Sequence, residues 1–255
     1  MLPEDLLGET LRYMMSERSK LTKEFNTAFD TTMKNNIDYI ITLGGDGTIL
    51  WAAKQFNTGP VPPMITFAQG SLGFMCNFTF EDHEKILMPI FKSVRNKLRP
   101  EEIGLENRLR LKVNAGPDTP STREIFRGDQ LQNSEPFELV DVHCVNEIVV
   151  DRGPSPYTVQ LNIYVDGNRM TCAVGDGIVV ATPTGSTAYS MSAGGSIVAT
   201  QTHCICLTPL APHSLSFRPI ILPASSTIRI EKEKDGRNSA WVSLDGANRF
   251  KLEEG

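Results

Sequence analysis

The chain has 255 residues, enough for one large domain or two modest ones. Hydrophobic residues make up 40% and charged residues 22%, ordinary globular values that argue against a disordered chain. The net charge of −5 and sequence pI near 5.5 argue against a general nucleic-acid binder, which carries a basic surplus, but leave small anions open as ligands.

In chain order, MLPEDLLGET is acidic and has no apolar h-region, so no signal peptide is read there. Leu6, Leu7, Leu11, Met14 and Met15 recur at helical spacing, which predicts a helix over 4–34. IDYIITL (37–43) reads as a short buried strand, and the glycine turn of LGGDGTIL (43–50) follows it. Ile49, Ala52, Ala53 and Phe56 then fall at i, i+3, i+4, i+7, a helix for which Thr48 is the expected N-cap. After the turn TGPVPP come a second buried strand, MITFA, a second glycine turn, GSLGF (70–74), and a helix over 81–97. Strands alternating with helices predict an α/β layer with a parallel sheet.

Near Pro100 the pattern changes to strands and turns, with one helix candidate as far as residue 233. Val159, Leu161, Ile163 and Val165 alternate with polar neighbours, and Asp166-Gly167-Asn168 supplies a hairpin turn. VNEIVV, GIVVAT, CICLT, RPIIL and TIRIE read as further strands, whereas the Asn/Asp/Ser/Pro/Gly-rich stretch 114–136 reads as a loop. The expected division is therefore an α/β domain over 1–99, a mainly β domain over 100–233, and a C-terminal segment, 234–255, packing back on the first domain. No run approaches the roughly 18 apolar residues of a membrane span. Five cysteines without a C-x-x-C pattern point to reduced thiols and a cytoplasmic-type compartment. His203, Cys204 and Cys206 lie too close for usual zinc-ligand spacing and are read as alternation along a strand over His203–Leu207. No residue is assigned to a metal.

The strand–glycine turn–helix of LGGDGTIL is an anion site in outline: backbone N–H groups point outward and the helix dipole adds partial positive charge. It is neither a Walker A loop nor a G-x-G-x-x-G fingerprint. Asp46 is the odd residue in it, because phosphate repels a carboxylate unless a metal or a reacting hydroxyl lies between. Two readings are open: a turn aspartate bonding its own backbone, or the group that takes the proton of an attacking hydroxyl or holds Mg²⁺. A second cluster, GDGIVVATPTGSTAYSMSAGG (175–195), sets Thr184, Ser186, Thr187 and Tyr189 around a polar glycine turn, with Ser186 or Thr187 expected to cap a helix over Ala188–Ala193. Asn146 and Glu147 interrupt an apolar strand, which is costly unless they are paired or face a cleft.

Taken together, LGGDGTIL, GSLGF, NEIVVDRGPSPY (146–157), the 175–195 segment, PHSLSFRPIILP (212–223) and AWVSLDG (240–246) resemble the NAD kinase family, in the family's order and in its eukaryotic style. GGDGT by itself is shared with lipid kinases; followed by the N-E pair and TPTGSTAY it is specific. The resemblance implies an N-terminal Rossmann-like α/β domain, a C-terminal mainly antiparallel β domain and a site between them. It implies an ATP-dependent NAD kinase that transfers the γ-phosphoryl group of ATP to the 2′-hydroxyl of the adenosine ribose of NAD, with Mg²⁺ or another divalent cation, in a dimer or tetramer. Asp46 matches the family's proton acceptor, and Gly44, Gly45 and Gly47 the loop around phosphates. Asn146 and Glu147 match the dinucleotide contacts, Asp176 a carboxylate that orients substrate, and Thr187, Ala188, Tyr189 and Ser192 the adenosine-side contacts. Family members have a further apolar strand before the GGDG strand; residues 1–36 carry only the amphipathic helix, so the sheet is expected to lack its first strand. A lipid-type GGDGT kinase and a non-catalytic NAD-binding module are the alternatives. No membrane or nucleic-acid partner is expected.

Overall fold

The computed structural model describes residues 37, 39–56, 61–70, 73–76, 78–95, 109–113, 122–127, 130–136, 140–233 and 239–252. The helix expected over 4–34, and with it the question of a first strand, lies outside the described residues. The chain divides into two compact units, Met1–Ile41 with Pro62–Ile65, and Thr42–Val61 with Thr66–Gly255. In the first, the Ile40 N–H donates to the Pro63 carbonyl at 2.9 Å.

The N-terminal region is α/β. Strand β1 (Ile40–Leu43) runs into the glycine turn and helix α1 (Asp46–Lys54); β2 (Met64–Ala68) and β3 (Phe78–Thr79) complete a sheet of order β1-β2-β3, in which β2 and β3 are parallel. Ile49, Ala52, Ala53 and Phe56, the expected helical stripe, are all buried. A single 3₁₀ turn, Phe80–Asp82, leads into α2 (His83–Arg95).

The remainder is mainly antiparallel β. One eight-stranded sheet has the order β13-β12-β11-β8-β15-β16-β5-β6, and a three-stranded sheet the order β10-β9-β14. Here β5 is Thr122–Arg127, β6 Gln130–Pro136, β8 Glu147–Asp151, β9 Val159–Val165, β10 Asn168–Gly175, β11 Gly177–Ala181, β12 Cys204–Leu210, β13 Ile220–Pro223, β14 Ile228–Lys232, β15 Ala240–Leu244 and β16 Ala247–Leu252. A separate pair, β4 (Leu109–Val113) and β7 (Val140–Cys144), stands outside both sheets. The β9–β10 turn has φ of 50° at Asp166 and 82° at Gly167, the two positive values of a type I′ hairpin, so Asn168 opens the next strand.

Strand alternation builds two cores on the two faces of the large sheet. Ile148, Val150, Ile178, Val180, Ile205 and Leu207 pack with Leu161 and Ile163 of the smaller sheet; Val149, Val179, Ala181, Cys204 and Cys206 form the other face. Because both faces are covered, β8, β11 and β12 read as continuous apolar runs in the sequence. Burying a side chain such as Leu161, 0% exposed, contributes roughly 1.5–3 kcal/mol. The alternation read over His203–Leu207 is thus present from Cys204 onward, with both thiols inside. All five cysteines are free.

One expectation needs correction. Residues 122–127 and 130–136 are not loop but an antiparallel pair at the end of the large sheet. A strand at a sheet edge needs no continuous apolar face, so its polar composition hid it. The C-terminal segment supplies β15 and β16, and β15 pairs with β8 in the middle of the sheet. Among the described residues no helix is long and apolar enough to cross a membrane.

Candidate functional site

Helix α1 starts at Asp46, with Gly45 as its N-cap; no side chain caps this end. Thr48, expected to cap, instead sits inside the first turn, its N–H donating to the Gly45 carbonyl at 2.9 Å. A glycine cap leaves the helix N-terminus without a side-chain acceptor, which suits an anion. A Cβ added at Gly45 or Gly47 would meet nothing within 4 Å, so the space beside both is open.

The Asp46 carboxylate turns not to its own backbone but to the second glycine turn. Phe74 N–H donates to Oδ2 at 2.9 Å and Met75 N–H to Oδ1 at 3.0 Å. Gly73 lies so close that a Cβ there would stand 2.2 Å from Oδ1. Each carboxylate oxygen keeps lone-pair capacity for a further donor. Beneath the loop, the Cys76 thiol reaches the Gly44 carbonyl at 3.3 Å; burial, then the Asp46 charge, push its pKa up.

Asn146 sits at the bend just before β8, and Glu147 is the first residue of that strand. The bend is gripped from both sides. Thr182 donates through Oγ1 to the Val145 carbonyl at 2.6 Å and through its N–H to the Asn146 carbonyl at 2.9 Å. Asp245, in the β15–β16 turn, accepts the N–H groups of Val145, Asn146 and Glu147 at 3.0, 2.7 and 3.1 Å. Glu147 is 6% exposed; Tyr189 N–H bonds its carboxyl, while Oε2 has no partner. Burial first, and the Asp245 charge second, raise its pKa to about 7.

TPTGSTAY forms a 3₁₀ turn, Thr184–Thr187, and then the four-residue helix α3 (Tyr189–Ser192), whose N-cap is Ala188 without a side-chain bond. Neither Ser186 nor Thr187 caps it. Ser186 Oγ, fully buried, accepts Val198 N–H at 2.9 Å, and Thr187 Oγ1 donates to the Thr184 carbonyl at 3.1 Å. Gly185 lets the turn lie on the bend: a Cβ there would stand 2.0 Å from the Asn146 carbonyl oxygen.

These pieces enclose one cleft of about 530 Å³, lined by Asp46, Phe74, Met75, Asn146, Thr184, Thr187, Ala188, Met191 and Ile197. Of the residues expected to form a site, Asp46, Asn146, Thr187 and Ala188 are brought together in it; Gly44, Gly45 and Gly47 shape the adjoining turn and Glu147 lies buried behind Asn146. Tyr189, 45% exposed, and Ser192 are not among the lining residues. Asp176 is elsewhere. It stands at the start of β11, whose other end leads to Thr182, roughly 20 Å away at strand rise, and its carboxylate pairs with Arg152 Nε at 2.7 Å. Gly73, Thr182 and Asp245 were not picked out as functional from the sequence. The glycine of GSLGF and the aspartate of AWVSLDG were visible there, but their partners are far away in sequence. Among the described residues no group of three or more His, Cys, Asp or Glu gathers to hold a metal.

A model of the ATP-NAD kinase N-terminal domain matches residues 1–94, and one of the ATP-NAD kinase C-terminal domain matches 145–255. The chain is 42% identical over 223 residues to a probable NAD kinase 1 of Oryza sativa subsp. japonica, covering 88% of this chain and 38% of that protein. It is 41% identical over 235 residues to an ATP-NADH kinase of Saccharomyces cerevisiae, covering 92% of this chain and 44% of that one. The chain therefore spans less than half the length of these two relatives. The crystal structure of a yeast NADH kinase complexed with NADH superposes with a TM-score of 0.63 at 38% identity, over 86% of this chain and 56% of that one. With both domain models matched in order along it, this chain belongs to the NAD kinase family.

Proposed function

We propose that the protein is an ATP-dependent NAD kinase, which transfers the γ-phosphoryl group of ATP to the 2′-hydroxyl of the adenosine ribose of NAD and releases ADP and NADP. The observation that carries this reading is the cleft with Asp46 in its wall, Asn146 and the Thr184–Ala188 turn also lining it, and an uncapped helix N-terminus beside it. The turn and Asn146 offer hydroxyl, amide and backbone groups to a nucleoside, and Met191, Ile197 and Phe74 offer apolar surface to a planar base.

In the transfer, the bond from the ribose 2′-oxygen to the γ-phosphorus forms. The bond from that phosphorus to the β–γ bridging oxygen breaks, and the hydroxyl proton passes to Asp46. A ribose hydroxyl is a weak nucleophile near neutral pH, so the gain comes from holding it in line and from removing its proton late. Asp46 suits this because two backbone N–H groups and Gly73 hold its carboxylate in one orientation. The lining residues Asp46, Asn146 and Thr187 present hard oxygen donors with one carboxylate, the set Mg²⁺ takes when triphosphate oxygens fill its other positions. A divalent cation held there would neutralise charge on the phosphates. The family resemblance implies a dimer or tetramer, and the free cysteines support a reducing, cytoplasmic compartment.

The test is a coupled assay for NADP(H) with NAD and NADH as acceptors and ATP and polyphosphate as donors. NADP formed from ATP and NAD is the expected result. Phosphorylation of a lipid in preference to NAD, or NAD binding without turnover, overturns it.

A further inference from the structure

The bend at Val145–Glu147 has an unusual backbone accounting. Its three N–H groups all end on the carboxylate of Asp245, and the Glu147 carbonyl accepts the Asp245 N–H at 3.0 Å. The other two carbonyls are taken by Thr182. Three successive N–H groups converging on one point make a natural anion nest; here the anion is the chain's own side chain, about a hundred residues further on. The nest is not held by local sequence. Asp245 is fixed instead by its hairpin, where φ is 47° at Asp245 and 68° at Gly246, and by the pairing of Leu244 with Ile148.

We propose that Asp245 is a positioning residue for the dinucleotide: its carboxylate sets the bend that turns Asn146 into the cleft. The proposal rests on the NAD kinase reading and adds a residue to it that does not line the 530 Å³ cleft. Val145 and Glu147 are buried, so without Asp245 their N–H groups lose an acceptor where water does not readily replace it. The bend then relaxes to find other partners, and Asn146 moves with it. Thr182 alone holds carbonyl groups, which leaves the peptide planes free to tilt.

The test uses Asp245→Gly, Asp245→Asn, Asn146→Ala and the double variant Asp245→Gly with Asn146→Ala. Glycine removes the carboxylate without penalising the positive φ, and a Gly-Gly turn still makes the hairpin. Asparagine also tolerates that φ and keeps one acceptor oxygen for Asn146 and Glu147. NAD affinity is measured by calorimetry, steady-state constants by the NADP assay, and amide exchange at 145–147 by NMR, on variants whose melts confirm folding.

Asp245→Gly is expected to weaken NAD binding on the order of tenfold, with KM rising more than kcat falls, and Asp245→Asn by less. The double variant is expected to lose no more than the larger single loss, because both act through Asn146. Exchange at 145–147 should quicken while amides of β11 and β12 stay protected. If Asp245→Gly does not fold, the same comparison is made with Asp245→Asn, for which a loss of about threefold is expected. Unchanged NAD binding, multiplicative losses in the double variant, or undiminished protection at 145–147 overturns the proposal alone. Failure of the unaltered protein to bind NAD overturns the kinase reading and this proposal together.

Discussion

Gly73 lies against Asp46: a methyl group on its Cα would stand 2.2 Å from Oδ1 of the carboxylate. The same carboxylate receives the next two backbone N–H groups, from Phe74 and Met75. The second glycine turn is thus a mould for the aspartate of the first. Gly73→Ala gives way at the end of a short side chain, not at backbone. It should cost the fold only about 1–2 kcal/mol, yet cut NADP formation at least tenfold, since a misplacement of about 1 Å can cost on the order of a hundredfold. Thermal melts alongside the NADP assay check both; near-normal turnover contradicts the moulding.

Gly185→Ala puts its methyl 2.0 Å from the Asn146 carbonyl oxygen, which is backbone on a buried bend and cannot swing away. Here stability should suffer as well as activity, by about 2–4 kcal/mol in a urea melt. A drop like that of Gly73→Ala contradicts the assigned packing.

Glu147 has its pKa raised to about 7, mainly by burial. The sign follows from linkage: the unfolded chain releases this proton near the ordinary glutamate value and the folded protein only near 7, so ionisation favours unfolding between those points. Wild-type stability should fall relative to Glu147→Gln as pH rises from about 4.5 to about 7 and then run parallel to it. Between pH 4.5 and pH 8 the gap is expected to change by about 1–3 kcal/mol. Melts of both proteins across that range check it; a gap that does not change with pH removes the titration from Glu147.

Ser186 ties the segment carrying Ile197 to the TGST turn through Val198, and its hydroxyl is fully buried. Ser186→Ala leaves the Val198 N–H without that acceptor. A stability loss of about 1–3 kcal/mol and a raised KM for NAD are expected, from melts and steady-state kinetics. An unchanged KM removes this segment from the binding wall.

Periodicity located β1, α1, β2, β8, β9, β11, β12, β13 and β14 because each carries its own apolar pattern; β15 and β16 were not among the strands read from it. It missed β5 and β6 because an edge pair is set by backbone bonds and not by composition. In the site, Asp46, Asn146, Thr187 and Ala188 were legible as motif residues. Their supports were not: Asp245 acts about a hundred residues from Asn146, and Gly73 matters for one oxygen atom of Asp46. The cap residues differ from the expectation because Gly45 and Ala188 cap by backbone geometry, while the nearby hydroxyl of Thr187 is spent inside the turn and that of Ser186 on Val198. Asp176 matched a motif, yet the five residues of β11 carry it to the far end of a strand.

The most direct measurement is NADP formation from ATP, Mg²⁺ and NAD by the unaltered protein and by Asp46→Asn, with NAD affinity measured on both. The unaltered protein should form NADP. Asp46→Asn keeps the side chain's shape but cannot take the hydroxyl proton, so turnover should fall by about a hundredfold to ten-thousandfold while NAD still binds. Full turnover in Asp46→Asn, or no NADP from the unaltered protein, contradicts the account.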